Sequence, residues 1–376
     1  MKFPFIHHIN DVLGAIADKT EFTVRQHQDY TTVDYQVQTN NTFDSEIARE
    51  CRGIKFDRKG NIIARPFPKF FNRGERPDLE AAGAVGKPVV MEKVDGSLIH
   101  TAYVDGKLVW MSKAGITWVS ELAQKYAENH FSADTLDSIE RVTSHGWTVM
   151  FEYVGPYNRV VIAYPEGMRF LAMRHNVTGE LKWSNPFSGV EEREIYPDDV
   201  SFDDVKKWTE QEGVVAFYPS TGFMLKMKAD DYVLKHKVKD QITLEKNVIQ
   251  TIMKDEVDDL AGVLDEEDYA KMSMYRDIVV DQLTKSAERV ESVAKAAIQN
   301  NLERSVIAKQ AGQELTKAQM SALWRYLDGR VDSAYEALAD ALCNAASSGG
   351  ARYQRAIDDM GITVRWEDFC VQQNEE

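Results

Sequence analysis

Up to about residue 240 the chain alternates short apolar runs with turn formers. The runs "TVDYQVQ", "RGIKF", "KPVVMEKV", "LVWMS", "TVMFEYV", "RFLAMR", "GVVAFY" and "FMLKMK" carry the β-branched, aromatic and alternating content of strands. Turn signals such as "DRKGN", "YVDGK" and "NVTGE" separate many of them. Two stretches break the alternation with helical spacing: "WVSELAQKYAENH" (118–130) and "FDDVKKWTE" (202–210). Links between the strands are too short for repeated helical crossovers, so the pattern predicts an α+β fold with mainly antiparallel sheets.

After Lys239 the texture changes, and strand signals nearly vanish. Val279, Leu283, Ala287, Val290, Ala294 and Ala297 form one stripe of a long amphipathic helix, and "SALWRYLDGRVDSAYEALADALCNAA" repeats that texture. "AASSGGAR" (345–352) reads as a loop between helices. A chain of 376 residues exceeds the usual single core, which agrees with a sheet-rich domain over 1–240 followed by an all-α domain over 241–376.

Hydrophobic content of 43% and charged content of 28% describe an ordinary soluble protein. There is no run of eighteen apolar residues and no apolar core in "MKFPFIHHINDV", so a cytoplasmic protein without a membrane partner is expected. Cys51, Cys343 and Cys370 are too scattered for a disulfide framework or a CxxC metal site. A net charge of −15 argues against nonspecific coating of nucleic acid, which is driven by phosphate neutralisation. Yet residues 51–100 hold ten Lys/Arg against six Asp/Glu, while 251–300 hold six against twelve, leaving room for a basic site on an acidic body.

That site has candidates in the charges embedded in apolar runs. "VVMEKVDGSLIH" (89–100) places Lys93 and Asp95 inside what reads as a buried strand; Lys113, Glu152, Glu212, Lys226 and Lys228 are embedded likewise. Each one singly could face water on an alternating strand. Alternation puts Lys226 and Lys228 on one face, where two ammonium groups repel unless an anion lies near, and a triphosphate is a natural anion. A free lysine, with a pKa of ~10.4, is protonated and cannot attack; burial and neighbouring cations lower that value, and Lys93 is expected to be so shifted. Its product is then a Schiff base with a carbonyl or a phosphoramidate with a nucleotide. The antiparallel pattern disfavours the first, whereas Glu152 and Glu212 fit the second as carboxylates for a ribose or a hydrated Mg²⁺. Other chemistries lack their motifs: "GAVGKP" (83–88) misses the GxxxxGK[ST] spacing, the eight histidines form no HExxH, and no GxSxG is present.

"KVDGS" (93–97) resembles motif I, KxDG, of the covalent nucleotidyltransferases, which comprise RNA ligases, DNA ligases and mRNA capping enzymes. "FEYV", "FLAMR", "EGVV" and "LKMK" follow in the order of that superfamily's motifs III, IIIa, IV and V. Leu98 stands where DNA ligases and capping enzymes usually have arginine, and the helical texture past Lys239 replaces their OB-fold. "ECRGIKF", "ARPFPKFFN", "PYNRVVIAYPE" and "DDYVLKHK" resemble segments of the phage RNA ligase 1 family, the tRNA-repairing ligases of T-even-like bacteriophages, with the likeness strongest over 50–240.

The resemblance implies an ATP-dependent RNA ligase, an enzyme forming phosphoric-ester bonds, with an N-terminal nucleotidyltransferase domain and a C-terminal helical domain that carries RNA specificity. It implies Lys93 as the AMP-accepting nucleophile, with Lys226 and Lys228 on the α-phosphate and leaving pyrophosphate. Arg52 and Lys69 would clamp the outer phosphates, Lys113 would contact the nucleotide, and Gly96 would let the chain approach the ribose. Val215 and Phe71 would hold adenine, although an aromatic in a strand equally suits a core; Val214 stands where the prototype of motif IV has an aromatic. Glu152 and Glu212 would contact the ribose or hold Mg²⁺ or Mn²⁺ through water. Asp258 and Asp259 resemble a second metal pair but equally suit the acidic first turn of a helix. The implied partner is RNA with 5′-phosphate and 3′-OH ends, as in a tRNA broken at its anticodon loop in a host bacterial cytoplasm; a monomer is expected. From another class, a non-catalytic RNA-binding protein with a decayed pocket would not be expected to keep all of Lys93, Glu152, Glu212, Lys226 and Lys228.

Overall fold

The strand-forming runs assemble into three sheets in a computed structural model that describes residues 3–39, 41–197, 200–261 and 263–370. Phe22–Gln26, Tyr30–Tyr35, Ile54–Asp57 and Ile62–Ala64 form an antiparallel meander. A second sheet runs Leu181–Lys182, Gly167–His175, Trp147–Val154, Ser97–Val104, Lys107–Met111, with the short Glu191–Glu192 pairing parallel to Gly167–His175. The third runs Phe71–Asn72, Phe223–Lys228, Gly213–Tyr218, Val89–Glu92, with a parallel pairing only at Phe71–Asn72. The fold is α+β with mainly antiparallel strands.

The apolar run at 89–100 is not one strand. Val89–Glu92 belongs to the third sheet and Ser97–Val104 to the second, so residues 93–96 carry the chain from one sheet to the other. The Lys93 N–H still donates to the Gly213 carbonyl at 2.9 Å, extending the third sheet by one bond. Asp95 is buried, and its carboxylate accepts from the backbone N–H groups of Val161 and Ile162 at 2.8 Å each and from the Tyr232 hydroxyl at 2.7 Å. A buried carboxylate without partners would cost several kcal/mol; three donors make it an anchor. A Cβ at Gly96 would collide with the Tyr153 carbonyl, so the sharp passage between sheets needs glycine there.

Trp118–His130 is helical as its spacing predicts, opened by a Thr117–Ser120 capping box. A second helix, Ala133–Ser144, begins at the Ser132 cap; its three large apolar residues, Leu136, Ile139 and Val142, are too sparse a stripe to read in isolation. Both helices pack on the second sheet through Ala123, Ala127 and Ile139 against Ile99, Phe151 and Phe170. The helix expected over 202–210 spans only Phe202–Val205, because the chain tightens to three-residue turns at Lys207 and Trp208 and then adopts φ +56° at Glu210.

The compact units are Met1–Val233 and Leu234–Glu376. Among its described residues the second unit is helical throughout, centred on Glu266–Gln299, whose expected stripe from Val279 to Ala297 is buried. The loop expected at 345–352 shrinks to Gly349, at φ +66°, between the helices Ala334–Ser348 and Gly350–Asp359; Ala345 and Ala346 are small enough to be buried in the helix core instead. Among the described residues no helix is long and apolar enough to cross a membrane.

Candidate active site

Motif residues far apart in sequence meet at one cavity of about 830 Å³, measured to its open mouth, between the second and third sheets. Lys93 and Gly96 line it from the passage between the sheets, Glu152 from the second sheet, Val215 from the third, and Arg52 from the turn before Ile54. Strand register sets the third-sheet wall: Val215 lies opposite both Met91 and Lys226.

Electrostatics centre on Glu212, buried just before the strand Gly213–Tyr218. Its Oε2 accepts from Lys93 Nζ at 2.7 Å, and its Oε1 stands 3.0 Å from Lys228 Nζ. Burial disfavours the Lys93 ammonium, but Glu212, Glu152 and Asp95 outweigh it, and the pKa is raised rather than lowered. Among the motif lysines Lys226 is pushed downward, to about 8, by burial and by the positive charges of Lys93, Lys69, Lys228 and Arg52. The expectation for Lys93 therefore reverses: in this state the nucleophile candidate is stored as an ammonium. The strand spacing showed the clustered cations, but not that the third sheet would seat a carboxylate between two of them. Glu152 is pushed up to about 8, chiefly by burial, with Glu212 and Asp95 adding and Lys93 opposing.

Other expected residues sit elsewhere. Phe71 and Lys69 line a neighbouring, more apolar cavity; the Lys69 ammonium donates to Gln38 Oε1 at 2.6 Å and lies over the rings of Tyr35, Phe43 and Phe71. Of the two rings in "KFF", the one on the Lys93 cavity is Phe70, with the Lys226 ammonium 5.9 Å from its centroid. "KFF" offered two rings, and only the sheet decides which faces where. Lys113 pairs with Asp34 at 3.1 Å over the Tyr35 ring and is not on the cavity wall. Glu212, with both oxygens paired to lysines, is not disposed as a free metal ligand. Asp258 and Asp259 open a three-residue 3₁₀ turn, where Asp258 accepts from Arg276 at 2.9 Å. Among the described residues no three His, Cys, Asp or Glu side chains gather as a metal cage.

Sequence reading passed over Phe67, Trp183 and Arg193, which also line the cavity. It also passed over Lys55, fully buried behind Arg52, whose ammonium donates to the carbonyls of Gly53, Ser112 and Lys113 at 2.7, 3.0 and 2.9 Å. The lysine in "RGIKF" was the available signal.

The model of the RNA ligase family, of the T4 ligase 1 type, matches residues 50–243, just over half of the chain. The chain is 34% identical over 175 residues to a candidate RNA ligase of Thermovibrio ammonificans, covering 46% of each. It is 33% identical over 178 residues to RNA ligase 1 of bacteriophage TS2126, covering 44% of this chain and 45% of that one. The aligned chain thus spans less than half the length of these curated relatives. Among solved structures, an archaeal ATP-dependent RNA ligase superposes with a TM-score of 0.42 at 14% identity, covering 75% of this chain and 78% of that one.

Proposed function

The chain belongs to the RNA ligase family, and from that membership we propose that it is an ATP-dependent RNA ligase joining 3′-OH and 5′-phosphate ends through lysyl-AMP and RNA-adenylate intermediates. The observation that carries this reading is Lys93 on the wall of a nucleotide-sized cavity, hydrogen-bonded to Glu212 and ringed by Arg52, Lys226 and Lys228.

In the first step Lys93 Nζ attacks the α-phosphorus of ATP; an N–P bond forms and the P–O bond to pyrophosphate breaks. The ammonium must first lose a proton, and Glu212 Oε2 is the hydrogen-bonded acceptor. Lys226 and Lys228 stabilise charge on the α-phosphate and leaving group, and Arg52 holds the outer phosphates. An RNA 5′-phosphate oxygen then displaces Lys93 from the adenylate, returning the amine. Attack by a 3′-OH finally forms the phosphodiester and releases AMP. Each step is an in-line displacement at phosphorus, dominated by positioning and charge neutralisation.

Of the two cavity-wall carboxylates, Glu92 is paired with Arg169 at 2.8 Å, and Glu152, with no metal cage among the described residues, suits a hydrated divalent ion that arrives with the nucleotide phosphates. Glu152 would hold such Mg²⁺ or Mn²⁺ through water, and the ion would neutralise phosphate charge. We assign the nucleotidyltransferase role to 1–240 and RNA specificity to the helical 241–376. A tRNA cleaved in its anticodon loop, in a bacterial cytoplasm, is the proposed substrate, and the phage-type family supports it.

Intact-protein mass spectrometry tests the reading. Incubation with ATP and Mg²⁺ is expected to add one AMP, and 5′-phosphorylated single-stranded RNA is expected to remove it with joined product. Once pre-adenylylated protein is excluded, absence of any adduct overturns the proposal.

A further inference from the structure

Lys55 lies fully buried in the strand Ile54–Asp57, three residues after Arg52, and has no part in the steps above. Its Nζ donates to the carbonyls of Gly53 at 2.7 Å, Lys113 at 2.9 Å and Ser112 at 3.0 Å. Three acceptors match the three N–H donors of an ammonium. Burial drives the Lys55 pKa down to about 7, with Asp34 opposing and the charges of Lys113 and Arg52 adding. All three bonds of this costly group fix main chain.

The carbonyls belong to two turns. The first, residues 50–53, brings Arg52 to the cavity wall; there the Arg52 N–H donates to the Glu50 carbonyl at 2.7 Å and the Gly53 N–H to the Val33 carbonyl at 3.0 Å. Gly53 takes φ +79°, and a Cβ on it would stand 2.7 Å from the Lys113 carbonyl oxygen, so the two turns touch closely. The second, residues 112–115, is closed by reciprocal backbone bonds of Ser112 and Gly115 at 2.8 and 3.1 Å. It is fastened to the first sheet, because Lys113 pairs with Asp34 at 3.1 Å and the Ile116 N–H donates to the Tyr30 hydroxyl at 3.1 Å. Lys55 therefore joins the turn that carries Arg52 to one already anchored. Without its ammonium, three carbonyl oxygens would converge on one buried point and lose that donor.

Resting on the ATP reading above, with Arg52 on the outer phosphates, we propose that Lys55 is a positioning residue for adenylylation: it holds the Arg52 turn against residues 112–115 and so keeps the guanidinium on the cavity wall. Being fully buried, Lys55 itself meets no substrate. Its contribution passes through Arg52 and belongs to the first step, since pyrophosphate has left before RNA ends are joined.

The test is a double-mutant cycle on the full chain, with Lys55→Met, Arg52→Ala and the two combined, following AMP-adduct formation at varied ATP. Lys55→Met should lower kcat/KM for ATP about threefold to tenfold, mainly through KM, and leave sealing of pre-adenylylated RNA close to that of the parent. Combined with Arg52→Ala it should cost little more, because the side chain it places is gone. Full additivity, an equal loss in sealing, or parent-like kcat/KM would each overturn the positioning role while the ligase reading stands. If the unaltered protein forms no adduct with ATP, once pre-adenylylated protein is excluded, the ligase reading falls and takes this one with it. Should Lys55→Met fail to fold, Lys55→Gln, which keeps a shorter donor, is carried through the same cycle. If neither variant folds, Lys55 belongs to the scaffold and the positioning role is overturned.

Discussion

Two charge clusters in the first unit, one buried and one on the cavity wall, make opposite use of the same chemistry. In one, Glu50 accepts from Arg65 Nε at 3.0 Å and from Arg174 Nη1 and Nη2 at 2.8 Å each, while the guanidiniums also reach the carbonyls of Pro4, Pro66, Asn176, Val177 and Gly179. Against the effect of burial, the two arginines hold the Glu50 pKa at about 2. In the other, Glu212 is shared by Lys93 and Lys228, Lys226 is pushed down to about 8, and Glu152 is pushed up to about 8. The first cluster is closed and fixes the segment leading to Arg52. The second leaves groups that titrate near neutrality, which suits a site awaiting an anionic ligand.

The largest expected contrast is in activity. Lys93→Ala should abolish AMP attachment, read by intact mass, with only a small change in melting temperature; full attachment would sink the proposed mechanism. Glu50→Gln should do the reverse, removing the charge between two buried guanidiniums at a cost of about 3–5 kcal/mol, read by denaturant unfolding. A loss under 1 kcal/mol would mean that the backbone carbonyls alone satisfy the arginines.

Next come the phosphate contacts. Arg52→Ala and Lys69→Ala should each slow adenylylation, by about tenfold or more, beyond any effect on sealing pre-adenylylated RNA, since one charged hydrogen bond is at stake. The larger effect is expected at Arg52, which lines the Lys93 cavity. Equal losses in both steps would remove the residue from the triphosphate clamp.

The smallest effect is a slope with pH. Glu152 has its folded pKa raised from 4.5 to about 8, so across that window the folded state holds a proton that the unfolded state has released. Its contribution to stability is therefore present at low pH and lost as pH rises through about 8. Glu152→Gln should flatten this decline, its melting temperature gaining on the parent as pH rises. A gap that stays constant would mean that Glu152 does not carry the raised pKa.

Much of this was legible in one dimension. Strand and helix periods revealed the α+β texture, and the stripe from Val279 to Ala297 proved to be buried, because amphipathic spacing depends only on neighbours along the chain. The lysines and glutamates set in apolar runs marked the site, since such burial is expensive unless used. Less was legible where partners come from distant segments. The split of 89–100 between two sheets, the choice of Phe70 over Phe71 at the cavity, and the reversal at Lys93 each depend on pairing with residues fifty or more positions away.

The sequence by itself determined which residues carry charge, which stretches prefer strand or helix, and which motifs the chain shares with its family. Only the tertiary structure decided which lysine loses its proton most readily and which carboxylate sits between two ammonium groups. It alone decided that Arg193 and Trp183 reach the cavity. The reason is physical: a pKa and a hydrogen-bond partner are properties of surroundings within a few ångströms, and register and sheet packing assemble those surroundings from segments that the linear order keeps apart.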